Sequence, residues 1–161
     1  MIVVSNTSVI LNLAAVGQLN LLEQLYGKVV IPEAVFRELL ALGSELPLMP
    51  QIKSLLWIET RSVTNCLLVD SLLLELDEGE AEAVVLAMEI QADLLLLDER
   101  RGRKAASRWG LKLIGLLGIL IEAKRRGFIG AVRPILDDLI TKAGFWISRQ
   151  LYARVLQEAE E

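Results

Sequence analysis

Four polar residues carry the chemistry this sequence can offer: Asn6, Glu38, Glu80 and Asp98. The chain has no His and one Cys, Cys66. That excludes Ser-His-Asp triads, imidazole bases, zinc sites built on His or several Cys, and the non-haem iron facial triad. Catalysis therefore falls to carboxylates, most plausibly with a hard cation that takes oxygen ligands. Asn6 lies in VVSNTSVI, where a short apolar strand runs into a helix start. Asp98 lies in LLLLDER, at the end of another apolar run. Ligands of open parallel sheets gather beyond the carboxyl ends of the strands, so Asn6 and Asp98 can meet at one sheet edge. Glu38 follows Val35 and Phe36 on an apolar helix. Glu80 opens the GEAEA helix and shares a face with Val84 and Ala87. Carboxylates on such faces are costly to bury unless paired or bound to metal.

Each residue alone also has a plain structural explanation. Asn6 suits a helix N-cap. Glu38 suits an exposed helical position. Glu80 and Glu82 suit the positive end of a helix dipole. Asp98 can cap the basic helix after it and pair with Arg101 or Arg103.

The elements that must position these groups alternate along the chain. Residues 2–4, 28–31, 56–63, 94–97 and 111–114 read as strands, the run 94–97 being continuously apolar as in a central parallel strand. Helices are expected over 9–15, 19–26, 32–42, 67–74, 80–90, 100–109, 116–126, 131–142 and 149–159, with caps and stops at Asn6, Gly17, Gly27, Pro32, Gly127 and Ser148. Residues 43–50, with Gly, Ser and two Pro, form the clearest loop. This pattern predicts a parallel sheet covered on both faces, in one domain over 1–161 with a helical C-terminal end.

Composition narrows the class further. The chain is 53% hydrophobic, with a mean hydropathy of +0.47, which points to a large core and a buried oligomer or partner surface. The apolar run 113–121 is too short to span a bilayer, and no secretory leader is expected. With a single thiol, a reducing cytoplasm is expected. A net charge of −4 conceals segregation: residues 1–99 hold 4 Lys/Arg against 15 Asp/Glu, whereas residues 100–133 hold 10 basic residues and one acid. Solvated helix faces explain any one of these cations; the block as a whole suits phosphate contacts. No phosphate-binding or dinucleotide glycine motif is present.

Three segments in order, VVSNTSVI, IPEAVFREL and LDEGEAEAVVLAMEIQADLLLLDERRGRKAA, resemble the PIN-domain superfamily of metal-dependent nucleases. The likeness spans essentially the whole chain. It is strongest toward uncharacterised prokaryotic PIN-like proteins related to VapC-type toxin ribonucleases, which carry a similar GFWISRQLYARVLQEA segment. The resemblance implies a three-layer α/β/α fold with a mostly parallel sheet. It implies Mg²⁺ or Mn²⁺ held at Asn6, Glu38, Glu80 and Asp98, the three acids being catalytic, with Thr7, Ser8, Glu82 and Glu99 in supporting roles. Arg103 or Lys104, and then Arg101, would meet the nucleic-acid backbone. RNA hydrolysis, an antitoxin protein as partner and a homodimer would follow. Asn6 departs from the family's Asp: it brings no formal charge and cannot act as a base, which leaves a non-catalytic RNA- or protein-binding module as the competing reading.

Overall fold

The computed structural model describes residues 1–97 and 99–161, and the side chains of all of these except Glu99 and Ala106. Five strands form one sheet: β1 (Val3–Ser5), β2 (Val29–Pro32), β3 (Ile58–Arg61), β4 (Leu94–Leu96) and β5 (Leu113–Ile114). Their spatial order is β3-β2-β1-β4-β5, and every neighbouring pair is parallel. The helices are α1 (Thr7–Ala15), α2 (Asn20–Tyr26), α3 (Glu33–Gly43), α4 (Cys66–Leu72), α5 (Glu78–Glu89), α6 (Glu99–Trp109), α7 (Leu116–Arg125), α8 (Arg133–Lys142) and α9 (Arg149–Glu158).

Strand side chains alternate between faces, and each face is apolar. Val3, Val29, Ile31, Leu94 and Leu96 join a core with Ile10, Leu22, Leu39, Ile119, Leu136 and Val155. Val4, Val30 and Leu95 join the opposite core with Val69, Leu72, Val84 and Ala105. Helices α1–α3 and α7–α9 thus supply one core and α4–α6 the other. The result is the expected three-layer α/β/α fold, with a sheet buried on both sides as parallel sheets require. None of the described helices is long and apolar enough to cross a membrane.

Boundaries differ from the sequence expectations for local reasons. Helix α1 begins at Thr7, two residues early, because Asn6 caps it directly. Strand β3 keeps only Ile58–Arg61, as an outer strand that is partly solvent-exposed. Residues Ile52–Ser54 form an unexpected 3₁₀ turn.

Two features fix the elements that matter for the site. A Cβ on Gly102 would lie 2.1 Å from Leu97 Cδ2. Gly in a helix interior costs about 1 kcal/mol relative to Ala; here it lets α6 press directly on the chain leaving β4. The far end of α5 is tied down by Glu89. Its Oε1 accepts from the N–H groups of Thr64 and Asn65, both at 2.8 Å, and from Thr64 Oγ1 at 3.0 Å. Burial pushes the Glu89 carboxyl up, but these three donors outweigh it and hold it below its ordinary value of 4.5.

A carboxyl whose pKa is lowered by folding stabilises the fold above its unfolded pKa. That contribution is lost as pH falls through the folded value. Glu89→Gln should therefore destabilise at pH 7 by about 0.5–1 kcal/mol, the low end for a solvent-exposed group. In urea melts the difference between variant and wild type should shrink below pH 4.5.

Candidate active site

The order of the strands creates the site. From β1 the chain progresses outward through β2 to β3, while β4 and β5 lie on its other side. Crossovers diverge between β1 and β4, which opens a crevice beyond their carboxyl ends. The two ends are level: Ser5 pairs with Leu96, and the Asn6 N–H donates to the Leu96 carbonyl at 3.0 Å.

An open cleft of about 310 Å³ lies there, lined by Asn6, Thr7, Glu38, Asp77, Glu80 and Arg101, with Ser8, Leu11 and Leu42 at its wall. The polar groups come from four helices and two helix caps. Asn6 is 2% exposed. Its Oδ1 accepts from the Val9 N–H at 3.2 Å and its Nδ2 donates to Ser8 Oγ at 3.1 Å. The capping bond fixes which end of the amide is oxygen. Thr7, the first residue of α1, donates its hydroxyl to Glu38 Oε2 at 2.5 Å. Glu38, on the middle of α3, is half-buried.

Glu38 reaches this position because the second residue of α5 beside it is a glycine. A Cβ on Gly79 would lie 2.9 Å and 3.0 Å from the two Glu38 carboxylate oxygens. The next residue, Glu80, is 6% exposed. It is the distal partner of a capping box: its Oε1 accepts from the Asp77 N–H at 3.1 Å, while its own N–H donates to Asp77 Oδ1 at 2.8 Å. Turned back in this way, the Glu80 carboxylate faces the cleft instead of the core. Arg101 Nη1 meets the same oxygen at 3.1 Å. Burial, the largest influence, pushes the Glu80 carboxyl above its ordinary value, and the Asp77 charge adds to it. The Asp77 N–H and Arg101 pull the other way without cancelling the rise.

The predicted site residues are thus distributed as follows. Asn6, Thr7, Ser8, Glu38 and Glu80 all line one cleft. Asp98 lies outside the described residues, as does the side chain of Glu99. Glu82 faces elsewhere: its Oε1 accepts from the Ala34 N–H at 3.2 Å, in the first turn of α3. The basic candidates are placed differently relative to the cleft. Arg101 lines the cleft, whereas Arg103 and Lys104 are exposed on α6 outside that lining. Arg103 lies about 200° round the helix from Arg101. Asp77 was missed in the sequence. Its signal was the D-x-x-E spacing of LDEGE, which marks a capping box.

Among the described residues, no group of three or more carboxylate or thiol side chains could hold a metal ion. The donors present are Glu38, Glu80 and the Thr7 hydroxyl. All are hard oxygen ligands of the kind that Mg²⁺ and Mn²⁺ take, and the one thiol, on Cys66, is exposed on α4. The chemistry of this donor set fits a hard divalent cation, with room in the cleft for water to complete its shell.

Gly79 offers a direct check on this geometry. Gly79→Ala should change fold stability by less than about 1 kcal/mol, because the obstructing atoms are the flexible end of a side chain. It should nevertheless displace the Glu38 carboxylate and break its bond to Thr7. A crystal structure of the variant with Glu38 unmoved would contradict this account.

None of the curated proteins matches the chain. A family model described as PIN domain matches residues 2–161. With the sheet, the switch-point cleft and its converging glutamates, that match leads to one conclusion: the chain belongs to the PIN-domain family, whose fold is nuclease-like and whose members generally use divalent metal ions.

Proposed function

We propose that this chain is a Mg²⁺- or Mn²⁺-dependent endoribonuclease. The observation that carries the reading is the convergence of Glu38 and Glu80, from separate helices, with Arg101 in one open cleft at the strand switch point. Glu38, Glu80 and Asp98 would hold the cation, Asp98 being assigned from the family pattern alone. When bound, the cation supplies positive charge to the phosphate under attack and eases ionisation of water.

The chain's own groups do the rest. Thr7 orients Glu38 by its hydrogen bond. The Asp77 capping box orients Glu80. Arg101 balances the Glu80 charge in the cation-free cleft, and its planar guanidinium is suited to transfer to a phosphate oxygen when substrate arrives. Water adds to phosphorus, and the bond from phosphorus to the leaving ribose oxygen breaks in line with it. Arg103 and Lys104, exposed on the same basic helix, suit contact with flanking phosphates.

Asn6 supports a second reading, a non-catalytic RNA-binding module. Its oxygen already caps α1, so it lends the cleft neither charge nor an unengaged carboxylate. Incubation of the purified chain with single-stranded RNA separates the two readings. The nuclease reading expects Mn²⁺-dependent cleavage that is stopped by chelator and reduced at least about 100-fold by Glu38→Gln or Glu80→Gln. RNA binding with no cleavage at millimolar Mn²⁺ would favour the module.

Asn6→Asp refines the test. Asp caps a helix as well as Asn does. The variant should therefore fold, lose stability in chelator from added charge, and gain more stability from Mn²⁺ than wild type does. An equal Mn²⁺-induced shift in thermal midpoint would remove position 6 from the cation site.

The same reading extends to a cytoplasmic toxin that an antitoxin protein restrains and that acts as a homodimer. Growth arrest on expression, relieved by Glu80→Gln, would support the toxin role; arrest that survives Glu80→Gln would count against it.

A further inference from the structure

The basic helix α6 has an aromatic neighbour that the nuclease reading does not use. The chain contains three tryptophans. Trp57 and Trp109 pack against the two cores, but Trp146 is 69% exposed. Its position is built by the backbone around it. Helix α8 stops at Gly144, whose φ of +69° suits glycine, and the Phe145 N–H reaches back to the Leu139 carbonyl at 2.9 Å. Phe145 and Ile147 then pack inward against the core, and Ser148 caps α9. In this extended segment alternate side chains point to opposite sides. Trp146 is therefore held outward between two anchored neighbours.

What lies beside it gives the exposure a use. Arg100 Cζ sits 5.3 Å from the centroid of the Trp146 ring, a cation–π contact. Arg100 precedes Arg101 on α6, and Arg101 lines the cleft. The indole thus stands against the basic helix whose next residue, Arg101, lines the cleft. Such an arrangement of an exposed ring, a stacked guanidinium and surrounding cations is how proteins hold unpaired bases of single-stranded nucleic acids.

We infer that Trp146, backed by Arg100, is a stacking platform for an unpaired nucleobase of RNA bound along the basic helix α6. This rests on the proposed nuclease reading for its substrate, but it concerns binding, and the two can fail separately. A base locked in a duplex presents no free face to the ring, so the platform discriminates single strands from double strands.

The test is fluorescence anisotropy with the full chain in chelator, where no cleavage occurs. The probes are a labelled ten-nucleotide single-stranded RNA, the same RNA in a duplex, and single strands with one abasic nucleotide at successive positions. Trp146→Ala should weaken single-strand binding about 5- to 100-fold, with little effect on the duplex, and Trp146→Phe should recover most of the loss. An abasic nucleotide at one position should reproduce the loss in wild type and add nothing in Trp146→Ala. Circular dichroism checks that the variant is folded. Unchanged single-strand binding by Trp146→Ala, or equal losses for single strand and duplex, would overturn the inference, as would a failure of wild type to bind RNA. Trp146-dependent binding without Mn²⁺-dependent cleavage would sustain the inference while removing the nuclease reading. Cleavage indifferent to Trp146 would do the reverse.

Discussion

The parallel pairing of β1 with β4 is the constraint on which the site depends. It is a short contact, three residues in register, continued by one further hydrogen bond from Asn6 to Leu96. Because the strands run parallel, both carboxyl ends emerge on the same edge. Because β2 and β5 lie on opposite sides of the pair, the following chain segments turn away from each other and leave a crevice. Both faces of β4 are leucine, so side-chain polarity does not distinguish its registers; the observed pairing sets the level at which Asn6 enters the cleft.

Charge is the second constraint. Two glutamates share a cleft with Asp77, and burial already works against ionising Glu80. The protein offsets this locally. Glu38 accepts a hydroxyl hydrogen bond, and Glu80 accepts both a backbone N–H and a guanidinium. Arg101 is an internal counterion to Glu80, and on the proposed nuclease reading a divalent cation would compete with it for that carboxylate. A unit charge pair at contact distance amounts to about 1–4 kcal/mol between the limits of water and a protein surface.

Much of this was legible in the sequence because several local signals agreed. The continuous apolar runs at β2 and β4 are what doubly covered strands require. The N-cap residue types at Asn6 and Ser148 and the glycine stops mark where helices begin and end. The convergence of Asn6, Glu38 and Glu80 was what the resemblance to PIN domains implied; strand ends alone brought only Asn6 and Asp98 to one edge. Other features depend on packing that no single stretch records. Which cation faces the cleft is set by the rotation of α6, and that rotation is fixed by Gly102 lying against Leu97. The approach of Glu38 to α5 depends on Gly79, forty-one residues further along the chain. The outward Trp146 was present in the alternation of GFWIS, but its meaning depends on Arg100, brought beside it only by the fold.

Asn6 joins the structural and chemical demands on this edge. As an N-cap it satisfies one of the unpaired N–H groups of α1, a task for which Asn and Asp are equivalent. Capping therefore does not explain the choice of an amide. The amide differs from a carboxylate in two respects: it carries no charge, and it can donate, as it does to Ser8. In a cleft where one guanidinium faces buried Glu80 and half-buried Glu38, a further carboxylate at position 6 would add an anion that is almost fully enclosed. The amide spares the cation-free fold that repulsion. On the proposed nuclease reading the same amide would remove an attraction for the incoming cation, which would set the stability of the empty cleft against the affinity of the filled one at a single side chain.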